Sequence, residues 1–113
     1  MASGPFVVKG TGKDGRGIPE ETRHWIRRKD WGSCIYEGLA PDPCRGPLQT
    51  DHVLVAWSKL KRHDLLNLAV ACEHHNCSKR DLTPEEFLGP ELAVALRSRL
   101  MFANMRRGVQ EQE

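Results

Sequence analysis

The sequence predicts a small α+β domain: two short strands and a helix around a metal staple, with one helix before them and one after. Three observations point there. Two short apolar runs, 51–56 (DHVLVA) and 65–71 (LLNLAVA), precede a helical pattern that starts at Glu73. Four cysteines and five histidines accompany only seven aromatic side chains in 113 residues. Apolar residues make up 39% of the chain, a thin supply for a core, and a chain this short gains most from a disulfide or a metal.

The same arithmetic bounds the rest. One domain fits the length, since independent domains usually run ~50–200 residues. No apolar run approaches the ~20 residues of a membrane span, so no membrane role is expected. No basic start followed by an apolar stretch marks a signal peptide. A reducing cytoplasm is the expected setting, where clustered Cys and His read as a metal site rather than disulfides. The net charge of +2, from 17 Lys+Arg and 15 Asp+Glu, says little unless the cations are grouped.

Each element follows in order. Residues 1–17 hold five glycines and no periodicity, and are expected as a flexible, mildly basic arm, either a trivial tail or an arm that touches DNA. Pro19 suits a first helical position, with Glu20 and Glu21 in the first turn. Trp25 and Ile26 form the apolar side of this helix. Arg23, Arg27, Arg28 and Lys29 form its wet side, and Gly32 ends it. Residues 32–50 carry three glycines and three prolines, a composition for a turn around Cys34 and a loop containing Cys44. Residues 51–56 are β-branched enough for a strand. A basic loop with Lys59, Lys61, Arg62 and His63 leads to the second run, 65–71, and the two runs could pair as an irregular hairpin. A helix is expected from Glu73 to about Asp81. Thr83, Pro84 and Glu86 then spell a capping box, and Gly89-Pro90 divides one short turn from one longer helix. In that helix Leu92, Leu96 and Leu100, with Val94 and Met101, are the expected core stripe. The domain is thus drawn as 18–107, with its core at about 50–81, C-terminal helices at about 84–107 and a frayed tail at 108–113.

The chemistry concentrates at 72–80. Cys72 and His75 are three apart, hence on one side of a helix, and could grip one ion. Cys34 and Cys44 could complete a closed Cys₃His zinc tetrahedron, with Cys77 the competing fourth ligand. Asn76 is turned about 100° from His75 and shares its face with Lys79 and Arg80. That second edge suits a hard metal and a phosphate.

The order Asp51-His52, Asn67-Leu68, Cys72-x-x-His75-Asn76-x-x-Lys79 resembles the HNH endonuclease family, whose core is a treble-clef-like ββα-metal unit with a zinc knuckle. Arg27 to Tyr36 is similar to the family's lead-in to the first knuckle, so the resemblance covers roughly 23–81. Glu37 stands where the knuckle often has its second Cys, and Cys44 would substitute. Asn76 stands at the last position of the motif, an H-N-N variant.

The resemblance implies a metal-dependent DNA endonuclease, nicking or cutting both strands to leave 5′-phosphate and 3′-hydroxyl ends. His52 would be the general base, fitting an imidazole pKa of about 6.5. Asp51 and Asn76 would hold one catalytic Mg²⁺ or Mn²⁺, with other divalent transition metals as candidates. Asn67 would brace the loop behind the base. Lys59, Lys61, Arg62, Lys79 and Arg80 are the candidate DNA contacts. Free-standing relatives of this size occur in phages and prophages, in restriction systems and in mobile elements, and the resemblance does not choose among these. A protein partner that supplies targeting, such as phage packaging machinery, is a further expectation. A non-catalytic zinc module binding nucleic acid or protein is the alternative. Neighbours on a strand face opposite sides, so Asp51 and His52 can share a site only at a strand end. His24 and His63 are expected at the surface, the latter near DNA, and His74 outside the zinc site. Trp25, Trp31 and Trp57 are expected to pack in the core or loops.

Overall fold

A computed structural model describes residues 6–109. The flexible start and the frayed end expected at 1–5 and 110–113 lie outside these residues. The elements are β1 (Val7–Val8), α1 (Glu20–Lys29), β2 (Leu48–His52), α2 (Trp57–Leu60), β3 (His63–Asp64), a 3₁₀ turn (Leu65–Asn67), β4 (Leu68–Cys72), α3 (Glu73–Lys79), α4 (Pro84–Leu88) and α5 (Pro90–Arg107).

The expected hairpin is β2 against β4, antiparallel, with Leu48 opposite Cys72 and His52 opposite Leu68. Its strands are displaced from the expected ranges: β2 covers 48–52 rather than 51–56, and β4 covers 68–72 rather than 65–71. The cause is Asn67. Its side-chain oxygen accepts the backbone N–H groups of Leu54 (2.7 Å) and Val55 (3.0 Å), and its amide donates to Val55 O (2.8 Å). Those groups are lost to a ladder, so the β-branched stretch after His52 turns away instead of extending.

All five residues of β4 are buried. Alternation divides them between two faces. Leu68 and Val70 meet Ile26 of α1, while Ala69 and Ala71 meet Tyr36, Leu96 and Leu100. A strand covered on both faces reads as one apolar run, as this one does.

The capping box of α4 forms as the sequence implied, with Thr83 Oγ1 accepting from Glu86 N and Glu86 Oε1 from Thr83 N. The stripe on α5 forms only in part, at Leu96 and Leu100. Its buried residues are Ala93, Leu96, Leu100, Ala103, Asn104 and Arg107, while Leu92, Val94 and Met101 are exposed. A strict four-residue spacing drifts about 40° per step around a helix, and alternating threes and fours hold one face.

Two terminal segments are more ordered than expected. Val7 and Val8 of the supposed arm pair with Asp64 and His63, and Thr11 bridges Gly17. Val109 of the supposed tail is buried and donates its N–H to Asn104 O at 2.8 Å. Arg107 is buried too. It donates through Nε to Asp30 Oδ1 (3.0 Å) and through Nη1 to Leu68 O (2.9 Å), tying α5 to the end of α1 and the start of β4.

Candidate metal centre and adjoining cleft

Cys34, Cys44, Cys72 and His75 converge, their ligand atoms all within 4.8 Å of one another. His75 Nδ1 lies 3.7, 3.8 and 3.2 Å from the sulfurs of Cys34, Cys44 and Cys72. A tetrahedral zinc with its usual bond lengths would set each nitrogen–sulfur pair about 3.6 Å apart. The donor set therefore fits a structural zinc. Cys77, the competing ligand, is exposed and outside the group.

Local bonds explain how distant residues arrive there. Ile35 N–H donates to Val70 O (2.8 Å), pinning the Cys34 turn to β4. Arg99 of α5 clamps the same turn through Ile35 O and Glu37 O. The Cys44 loop is laid on the start of α3 by Glu73 N–H to Pro47 O (2.9 Å) and His74 N–H to Arg45 O (3.0 Å). The approach is so close that a Cβ on Gly46, at φ +81°, would sit 2.8 Å from Glu73 Cβ. His75 Nε2–H donates to Asp42 O at 2.9 Å, which leaves the Nδ1 lone pair facing the thiols. His74 lies outside the donor set, paired with Asp42 Oδ2 at 3.0 Å. Burial raises the Cys34 thiol, and burial with two neighbouring thiols pushes Cys44 to about 12. A metal ion would have to displace those protons.

The end of β2 and the side of α3 border a cleft of about 700 Å³. Asp51, His52, Asn76, Lys79 and Arg80 line it, as do Arg16, Arg23 and Trp57. Asp51 and His52 share it because β2 ends at His52. Asp51 is 7% exposed. Its Oδ2 accepts from the Tyr36 hydroxyl (2.9 Å) and lies 3.8 Å from Lys79 Nζ. Burial raises its carboxyl to about 6, with Lys79 and Tyr36 opposing the rise. Burial of His52, and the cations and His63 around it, lower its imidazole to about 4, so the ring is neutral at pH 7. Asn76 Nδ2 donates to Gln49 Oε1 (2.7 Å), which commits the amide nitrogen and leaves its oxygen as the acceptor. Asn67 stands behind the cleft, bonded to the backbone of the loop that follows His52.

The cations divide. Arg80 borders the cleft. Lys79, expected as an exposed phosphate contact, is 1% exposed, because its ammonium is drawn in by buried Asp51. Lys59 bonds Asp81 O, Lys61 lies over the Trp57 ring at 4.7 Å, and Arg62 pairs loosely with Asp64 at 3.9 Å. Sequence reasoning missed Arg16 and Arg23, since one fell in the supposed arm and the other on a supposed solvent face. It also took His63 for surface, whereas His63 is buried against His52. The basic side of α1 was visible in the sequence, but nothing local told which part of the fold it bordered.

Among the described residues no helix is long and apolar enough to cross a membrane. No family model, curated protein or solved structure matches the chain. The chain is a compact α+β unit built on two small antiparallel sheets, with a Cys₃His cluster that could hold a metal ion.

Proposed function

We propose that the chain is an HNH-type endonuclease that hydrolyses phosphodiester bonds in DNA. One observation carries the reading: Asp51, His52 and Asn76 border a single cleft with Arg16, Arg23 and Arg80. A structural zinc site needs none of these residues. Zinc would act as the staple. Its four ligands leave no open position for water.

In this reading His52, neutral at pH 7, takes the proton from the attacking water. Arg16, Arg23 and Arg80 attract and align the phosphate backbone. Asn67 holds the Leu54–Val55 backbone, and with it the chain that leaves His52. A Mg²⁺ or Mn²⁺ ion, held by the Asp51 carboxylate and the Asn76 amide oxygen, would supply charge stabilisation at the phosphate and the leaving oxygen. Until such an ion binds, Lys79 offsets the charge of Asp51.

The alternative, a non-catalytic zinc module binding nucleic acid or protein, draws on one observation. Asp51 already has internal partners in Tyr36 and Lys79. Supercoiled plasmid separates the readings. The zinc-loaded chain should nick or linearise it with Mg²⁺, Mn²⁺ or Ni²⁺. His52→Ala should abolish cleavage while keeping about one zinc per chain and the wild-type circular dichroism. Cleavage by His52→Ala at the wild-type rate would defeat the assignment, and no cleavage by wild type with any of these metals would favour the binding module. A DNA-packaging or other targeting partner belongs to the same proposal, as does a site of action in a bacterial or phage-infected cytoplasm.

A further inference from the structure

We infer that His63 is a positioning residue for His52, and that the N-terminal turn Gly10–Gly17 is built to hold it. The inference deepens the nuclease reading and rests on it for its catalytic consequence.

The observation is a chain of two hydrogen bonds. His63 Nε2 lies 2.8 Å from Gly15 O. A carbonyl can only accept, so Nε2 of His63 carries the proton. In the neutral ring Nδ1 is then bare. That atom lies 2.9 Å from His52 Nε2, which is the donor when both rings are neutral. The sequence of bonds fixes His52 as the Nε2–H tautomer, with its lone pair on Nδ1. An isolated imidazole would exchange freely between tautomers, and its partner selects one. His63 is 1% exposed, so water does not compete for either bond. Trp57 stacks near the His63 ring at 6.4 Å and 28°.

The turn that supplies the carbonyl is fitted to this job. Thr11 N–H donates to Gly17 O (2.7 Å) and Gly17 N–H to Thr11 O (2.9 Å), closing the turn. Val8 pairs with His63 itself and brings the turn alongside. Gly10 has no space for a side chain. A Cβ there would sit 1.8 Å from Gly15 O and 2.7 Å from His63 Nε2. The glycines that read as a flexible arm are thus the residues that let a carbonyl reach a buried imidazole.

The position of His63, eleven residues after His52 across α2 and on β3, makes the link testable without disturbing the zinc ligands. Nitrogen-15 NMR of the zinc-loaded full chain, tuned to the two-bond imidazole couplings, reads the His52 tautomer directly. Wild type should show protonated Nε2. His63→Leu removes the acceptor, and His52 should lose its single tautomer. His63→Asn offers an amide oxygen where Nδ1 stood and should restore it. Gly10→Ala, whose Cβ would press on both Gly15 O and His63 Nε2, should shift the His63 signals. On plasmid DNA with Mg²⁺ or Mn²⁺, His63→Leu should lower kcat about 10²-fold with KM unchanged, the scale expected of a misaimed group. His63→Asn should recover much of that loss.

A wild-type His52 protonated on Nδ1 would overturn the inference. So would an unchanged tautomer and kcat in His63→Leu. If the tautomer behaves as stated but wild type cleaves no DNA, the histidine link stands and the nuclease reading falls.

Discussion

Arg107 and Asp30 form a buried ion pair between the last turn of α5 and the residue that ends α1. Asp30 is 7% exposed and the Arg107 side chain is fully buried. Both carboxylate oxygens are engaged by the guanidinium, whose third nitrogen also reaches Leu68 O and Asn104 Oδ1. Removing one partner strands a desolvated charge. Arg107→Leu is expected to destabilise the chain by about 3–5 kcal/mol. Arg107→Lys should also lose stability, because an ammonium cannot reproduce the planar fork. Urea unfolding of the two variants against wild type measures both. An Arg107→Leu midpoint equal to wild type would show the pair to be dispensable.

Zinc dependence separates the four cysteines. Cys34→Ser and Cys72→Ser should give chains that lose metal and fail to fold, since a structural zinc contributes on the order of 10 kcal/mol. Cys77→Ser should keep about one zinc per chain and the wild-type melting temperature, because Cys77 lies outside the cluster. Elemental analysis of the purified proteins decides. Full-strength zinc binding by Cys72→Ser, or its loss in Cys77→Ser, would reverse the ligand assignment.

Two buried groups give opposite pH dependences. Asp51 titrates near 3.8 when unfolded and about 6 when folded. The native state then binds more protons across that window, so its contribution to stability falls as pH rises from about 3.8 to 6. His52 titrates near 6.5 unfolded and about 4 folded, so its contribution rises with pH between 4 and 6.5. Each is worth on the order of 3 kcal/mol at about 1.4 kcal/mol per pKa unit. Stability relative to wild type should therefore rise with pH in Asp51→Asn and fall with pH in His52→Gln. Denaturation without added Mg²⁺ or Mn²⁺, taken as variant minus wild type at each pH, cancels the acid sensitivity of the zinc site. Difference curves that stay flat from pH 4 to 6.5 would contradict both shifts.

Arg23 and Arg80 should behave differently from Lys79, although all three line the cleft. Arg23→Ala and Arg80→Ala are surface changes. Each should weaken DNA binding evenly across sequences and reduce the salt slope of log K by about 1. Lys79→Ala should instead lower the melting temperature, because it leaves Asp51 buried without its cation. Fluorescence anisotropy at several salt concentrations and a thermal melt distinguish the two classes. An unchanged melt in Lys79→Ala would count against its buried role.

The local patterns of the sequence were sufficient for some features. Thr83, Pro84 and Glu86 specified the start of α4, because a capping box is closed within four residues. Cys72 and His75 specified half of the metal cluster by their spacing, although Cys72 is the cap of α3 rather than part of it, its sulfur accepting the N–H of His75. The two-strand hairpin followed from two short apolar runs, but its register did not. The bonds of Asn67 ended β2 at His52, and those reach across the hairpin.

The tertiary structure decided the rest. It chose His75 over Cys77, since Asp42 O lies 33 residues away and fixes the ring. It buried Lys79 beside Asp51 and His63 beside His52, and joined Arg107 to Asp30 across 77 residues. It also turned the glycine-rich start into a fitted support for His63. Periodicity and capping report on neighbours within a turn or two of the chain. Burial and partner choice depend on which distant segments pack together, and a polar residue carries no local mark of the partner it will meet.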